Sequence, residues 1–183
     1  VTALDSLRIA FNDTFRLPPA ATDWLLMLFE AAQLFDDCAD RDPIKRGELN
    51  SVIWATLVAM PANPFYQAHQ VQLSTLLGNF ILKWQASDIA ERKKMHDEVS
   101  FVWRAGYYDV VLGVVTLCHG PAVAHDLAIN VMQLYGEKYE DYLKEFGHAR
   151  SSYRNHCRRF ADRRRYEFVS CGQRRKRTSQ RRS

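Results

Sequence analysis

An all-α fold, a single helical bundle followed by a basic C-terminal tail, is predicted by three features of the sequence. Apolar residues recur at helical spacing in one segment after another. The segments are separated by short connections marked by proline or glycine. No run of strictly alternating residues offers a strand with a partner strand. The 183 residues, 47% hydrophobic and 25% charged, suit one ordinary globular domain, and no fixed-period repeat divides them.

Taken in order, residues 1–16 form a short amphipathic helix, with Leu4, Leu7, Ile9, Phe11 and Phe15 inward and Asp5 and Arg8 outward. Pro18-Pro19 ends it. Thr22 or Asp23 is placed to cap a second helix. Its apolar run, Trp24 to Phe29 and on through Ala31, Ala32, Leu34 and Phe35, leads into Asp36-Asp37-Cys38-Ala39-Asp40. A third apolar stretch covers Val52 to Val58, and Pro61 and Pro64 break the chain again. The spacing of Val71, Leu73, Leu76, Leu77, Phe80, Ile81 and Trp84 predicts a long helix from Phe65 to Lys94, ending in a charged face at Asp88, Glu91, Arg92, Lys93 and Lys94. Asp97 to Leu117 is read as a helix too, although its valines suit a strand and Gly106 and Gly113 weaken it. His119-Gly120-Pro121 is a turn. Val123 to Phe146 is the last core helix, with Gly147 at its C-cap.

The net charge of +4 is unevenly spread. Residues 1–149 carry 12 Lys and Arg against 19 Asp and Glu, whereas residues 150–183 carry 13 against 2. The chain is therefore divided into an acidic helical domain, 1–149, and a basic, largely disordered tail, 150–183. In the tail Arg158, Arg159, Arg163, Arg164 and Arg165 alternate with Phe160 and Tyr166. Guanidinium groups can pair with phosphates while aromatic rings stack on bases, so this block is the candidate nucleic-acid-binding segment.

Four widely spaced cysteines without a Cys-x-x-Cys suit a reduced, cytoplasmic protein. The longest unbroken apolar candidate, Val110 to Cys118, contains Gly113 and Thr116 and is half the length of a membrane span. Asp5 and Arg8 interrupt any N-terminal leader pattern.

The aspartate run carries the chemistry. At 3.6 residues per turn, Asp36 and Asp40 stack on one side of a helix and Asp37 stands about 100° further round. Such carboxylates at a helix C-terminus oppose the macrodipole and repel one another. They either decorate a solvated turn, which Arg41, Asp42 and Pro43 would make, or hold a cation. Hard oxygen donors suit Mg²⁺, which takes one or two carboxylates together with phosphates and water. Lys45 and Arg46 follow at a distance suited to the same phosphates.

Read whole, Asp36-Asp37-x-x-Asp40-x-x-x-x-Lys45-Arg46-Gly47 resembles the first aspartate-rich motif of the trans-isoprenyl diphosphate synthases. The spacing matches throughout, with Lys45 in place of an arginine. Leu77-Gly78-Asn79-Phe80-Ile81-Leu82 resembles a second segment of that family, with Asn79 where the family has aspartate. The resemblance covers about residues 20–95. It implies an isoprenoid-synthase-like bundle around a deep cavity. Asp36, Asp37 and Asp40 would hold Mg²⁺ against an isoprenoid diphosphate, with Lys45 and Arg46 gripping that diphosphate. The implied chemistry is ionisation to an allylic cation. Asp126, Glu137, Glu140 and Asp141 do not reproduce the family's second aspartate-rich motif, and the acidic body is about half the family's usual length. A partial or diverged member without full prenyltransferase activity, or one completed as a homodimer, fits these departures.

Two other readings stand beside it. One is a non-enzymatic helical adaptor whose Arg-rich tail binds nucleic acid or an acidic partner. The other is an HD-type metal-dependent phosphohydrolase using His69, His96, Asp97 and Asp126, since imidazole and carboxylate together ligate divalent transition metals. Cys157, Cys171, His148 and His156 lack recognised zinc spacing.

Overall fold

The computed structural model describes residues 2–145. Every regular element among them is helical. The chain divides into two compact units, Val1–Gly136 and Glu137–Ser183. The composition boundary at 149/150 and the whole basic tail lie outside the described residues.

In the first unit, α1 (Ala3–Ile9) starts at Thr2, whose hydroxyl accepts from the Asp5 N–H while the Asp5 carboxylate accepts from the Thr2 N–H. These reciprocal bonds satisfy donors that a helix start leaves open. A π-type turn, Ala10–Thr14, continues α1 and swings Phe11 and Phe15 fully inside. The chain then reverses at Arg16, whose φ is 49°.

α2 (Pro19–Asp40) has Pro18 at its N-cap, four or five residues before the expected caps Thr22 or Asp23. Pro19 occupies the first turn, where a missing N–H costs nothing. Thr22 is not a cap; it is buried, with its hydroxyl 3.3 Å from the Asn12 side-chain oxygen. Ala21, Trp24, Leu25 and Leu28 form the inward stripe. Trp24 is fully buried and stacks on Tyr66 at a centroid distance of 5.8 Å. Truncating such a side chain costs about 3–5 kcal/mol.

After α2 come α3 (Arg46–Trp54), a π-type turn (Ala55–Ala59) and α4 (Met60–Ala62) in one continuous run. Val52 alone of the predicted apolar stretch is buried, against Ala31 and Leu34; Ile53, Trp54, Leu57 and Val58 are exposed. Asn63 ends this run and caps α5 (Pro64–Ala68), accepting from Phe65 and Tyr66 while donating to the Ala20 carbonyl at 2.9 Å.

The predicted helix from 65 to 94 is two helices, because His69 leaves the helical region at φ −124°, ψ 24°. α6 (Gln70–Arg92) follows, then α7 (Glu98–Arg104), whose N-cap is Asp97. The segment read as one helix from Asp97 to Leu117 breaks at Ala105-Gly106 before α8 (Tyr107–Leu134). Val110, Val111, Val114 and Val115 are all fully buried. Their i, i+1, i+4, i+5 spacing makes one helical face, which outweighs the strand preference of valine. A Cβ on Gly113 would lie 2.4 Å from Leu76 Cδ1, so the glycine that weakens the helix locally lets α6 approach. The Tyr107 hydroxyl donates to the Leu25 carbonyl at 3.0 Å, tying α8 to α2. Gly120, at φ 80° and ψ 170°, splits α8 at the predicted turn.

Among the described residues one stretch, Tyr107–Lys144, is long and apolar enough by length and composition to cross a membrane, its apolar character surviving the interruptions at Gly113, Thr116 and His119.

The helix expected from Val123 to Phe146 stops at Leu134. In the second unit α9 (Tyr139–Glu145) is supported by the Lys144–Asp141 ion pair at 2.6 Å and by the rings of Tyr139 and Tyr142, 6.0 Å apart. Phe146 and Gly147 lie outside the described residues.

Candidate functional site

The end of α2 is closed by Arg41 in the left-handed region (φ 67°), with the N–H groups of Arg41 and Asp42 both donating to the Asp37 carbonyl. At this helix end Asp36 and Asp40 lie along one side; Asp36 is half-buried, whereas Asp37 and Asp40 are exposed. Asp36 is anchored: its Oδ1 accepts from the Trp84 indole N–H at 2.8 Å, and its Oδ2 lies 3.9 Å from Arg104 Nη2. The other guanidinium nitrogen, Nη1, lies 3.9 Å from Glu91 Oε1. One mostly buried arginine thus stands between a carboxylate of α2 and a carboxylate of α6.

Asp40 is the stressed member. Loss of solvation raises its carboxyl above the usual carboxylate value, and repulsion from Asp36, Asp42 and Asp88 adds to the rise, while Arg104 opposes it. Asp88 is itself bound to Arg92 one turn along α6, at 2.5 Å. The Ser87 hydroxyl lies 2.8 Å from the Ser100 carbonyl and 3.2 Å from Glu91 Oε1, which fixes α7 against α6 and so places Arg104.

The basic pair of the motif is placed differently. Lys45 is the N-cap of α3; its Nζ is 3.0 Å from Glu48 Oε1, and its backbone N–H donates to Glu48 Oε2. Hydrogen bonds from Lys45 hold the Glu48 carboxyl below the usual carboxylate range. Arg46 opens α3 and is exposed. Lys45 therefore pairs with a neighbour on its own helix. Asn79 is exposed on α6, and Gly78 has nothing within 4 Å of where a Cβ would be, so the second family-like segment presents both to the exterior.

The histidines and aspartates of the phosphohydrolase reading are scattered in their local roles. The His69 ring lies 4.7 Å from that of Phe65; Asp97 Oδ1 accepts from Val99 and Ser100 as a helix cap; Asp126 is exposed beside His125. His96 is buried. Cys157, Cys171, His148 and His156, like Arg158, Arg159, Arg163, Arg164 and Arg165, lie outside the described residues.

Among the described residues no three His, Cys, Asp or Glu side chains form a ready-made metal ligand set. What α2 offers is an all-oxygen pair, Asp36 and Asp40, of the donor type Mg²⁺ accepts when phosphate and water complete its shell. Trp84, Asp88, Glu91 and Arg104 escaped the sequence reading as site residues. The i, i+3 pair Asp88 and Glu91 and the i, i+4 pair Asp36 and Asp40 are visible in the sequence, but only the packing of α6 and α7 beside α2 joins them. No family model matches the chain, and neither a curated protein nor a solved structure matches it.

Proposed function

We propose that this protein binds a diphosphate-bearing ligand through Mg²⁺ at Asp36 and Asp40, the finer reading being an isoprenoid diphosphate held without full prenyltransferase activity. The observation that supports it is geometric: Asp36 and Asp40 stand one turn apart at the C-terminal end of α2, with Arg104 3.9 Å from Asp36 as the nearby cation. A divalent ion entering there relieves the repulsion that one arginine leaves. Arg104 then supplies a second positive group for phosphate oxygens, and its planar fork suits them. Lys45 and Arg46, both exposed at the start of α3, are the cations for the outer part of such a ligand, and Asp37, exposed at the end of α2, is a third carboxylate for Mg²⁺.

The test is calorimetric titration and thermal shift with Mg²⁺ alone, Mg²⁺ with pyrophosphate, and Mg²⁺ with a non-hydrolysable farnesyl diphosphate analogue. A ligand at 100 times its Kd stabilises by about 2.7 kcal/mol. Asp40→Asn removes that response and Asp37→Asn weakens it. An unchanged response in Asp40→Asn overturns the assignment; a response to pyrophosphate equal to that of the analogue retains the diphosphate site and removes the isoprenoid.

A second reading is favoured by the concentration of 13 Lys and Arg in residues 150–183. That segment binds nucleic acid by charge, so binding falls steeply with salt and is lost on truncation after Gly147, without response to diphosphate.

A further inference from the structure

α3, the π-type turn and α4 form one helical run over residues 46–62 that packs along α2. Val52 and Met60 are its buried residues, whereas Leu49, Ile53, Trp54, Leu57 and Val58 are exposed. Steps of four, one, three and one keep these five on one side of the run, away from Val52. Leu57 is 74% exposed and Trp54 65%. From Leu49 to Leu82 the sequence contains no Asp, Glu, Lys or Arg, in a chain that is 25% charged. A helix bordered by water carries charge on its outer face. Beyond Glu48 this run has only Asn50 and Ser51 as exposed polar side chains.

The face selects its occupant by size and charge. It extends about 15 Å along the axis and is about 10 Å wide, far below the roughly 800 Å² per partner that a stable protein contact buries. The 13 Lys and Arg of residues 150–183 seek carboxylates or phosphates, and the face has neither to offer them. A bilayer surface sets no such demands. It needs no shape complementarity, and it accepts apolar side chains at the headgroup boundary, where an indole ring is favoured. An apolar face this small gives weak, reversible binding alone, and stable attachment takes a second signal. The basic segment is that signal, since 13 cations against 2 carboxylates complement an anionic lipid surface.

We propose that the exposed face of residues 49–58 seats in the surface of an anionic phospholipid bilayer. Leu49, Ile53, Leu57 and Val58 enter the acyl boundary and Trp54 stands at headgroup level, while residues 150–183 supply the electrostatic attraction. The run lies in the plane of the surface, as amphipathic interfacial helices do, and does not cross it.

Vesicle co-sedimentation of the full chain tests this, with phosphatidylcholine alone and with about 30% phosphatidylserine. The wild type binds the anionic vesicles at least about tenfold more tightly than the neutral ones, and raising NaCl from about 0.1 to about 0.5 M removes that preference. Leu57→Glu, at an exposed position that leaves helix content unchanged by circular dichroism, weakens binding to both vesicle types by at least about tenfold. Nitroxide-labelled lipid quenches the tryptophan fluorescence of the bound wild type. Trp54→Phe removes most of that quenching, because this indole is the one that enters the lipid. No binding to anionic vesicles overturns the proposal, as does nucleic-acid binding without vesicle binding. Binding that Leu57→Glu leaves unchanged, or quenching that Trp54→Phe leaves unchanged, overturns it too, because the basic segment alone then holds the lipid.

Discussion

Arg104→Met removes the cation between α2 and α6 and keeps most of the apolar stem. Arg104 has a side chain 22% exposed and lies 3.9 Å from Asp36 and 3.9 Å from Glu91. Exposed pairs contribute about 0–1 kcal/mol, whereas leaving a buried charge without its partner costs about 3–5 kcal/mol; a partly buried cation at these distances falls between, at about 2 kcal/mol. For a chain of this length that corresponds to a Tm lower by about 4–8 °C at pH 7. The sign with pH follows from Asp40. Arg104 holds its carboxyl down against burial and repulsion, so without the arginine the folded-state value rises further above the ordinary 3.8. A carboxyl raised in the folded state keeps its proton longer there than in the unfolded chain, so the variant loses stability as pH rises from about 4 toward 7. Differential scanning calorimetry of both proteins at pH 3 and pH 7 checks this. The gap between them is wide at pH 7 and narrows to below about 1 kcal/mol at pH 3, below the ordinary aspartate value of 3.8. An equal loss at both pH values would falsify the electrostatic account and assign the effect to packing of the stem.

Other outcomes follow from single contacts. Asp40→Asn removes a repelled carboxylate: Tm rises slightly at pH 7, by about 1 °C, and does not change at pH 3, because the cost is present only when the group is ionised. Gly113→Ala drives a methyl to 2.4 Å from Leu76 Cδ1 and lowers stability by about 1 kcal/mol after its helix-propensity gain. In a double-mutant cycle with Leu76→Ala the two changes couple by at least about 0.5 kcal/mol; strict additivity refutes the contact. Tyr107→Phe costs about 1 kcal/mol in urea unfolding by removing the bond to the Leu25 carbonyl. Burial, with a smaller effect from Tyr108, also raises the Tyr107 hydroxyl well above its ordinary 10.0. The wild type therefore loses stability as pH rises past 10, where only the unfolded chain releases that proton, and the phenylalanine variant shows a flatter alkaline limb.

The helical character of the chain was legible because apolar spacing repeats every three to four residues, and the breaks at Pro18-Pro19 and Gly120-Pro121 were legible because those residues act locally. Boundaries set by long-range contacts were not. Thr22 looks like a cap by type, yet burial against Asn12 claims it and Pro19 starts the helix. His69 divides the predicted helix from 65 to 94 without proline or glycine to announce it. The stacking of Asp36 and Asp40 followed from helical geometry alone. Their neighbours Trp84, Asp88, Glu91 and Arg104 did not, since those residues lie 48 to 68 positions from Asp36 in the chain.

By itself the sequence determined periodicity, breaks and charge: which stretches are helical, where proline and glycine stop them, and that acid gathers before residue 150 and base after it. Tertiary structure alone decided which apolar stripe of α6 is covered and which carboxylates share one arginine. Periodicity records that a face is apolar without naming the surface that meets it; that choice is made when α6 settles on α8 across Gly113 and leaves Val71, Leu82 and Ile89 outside.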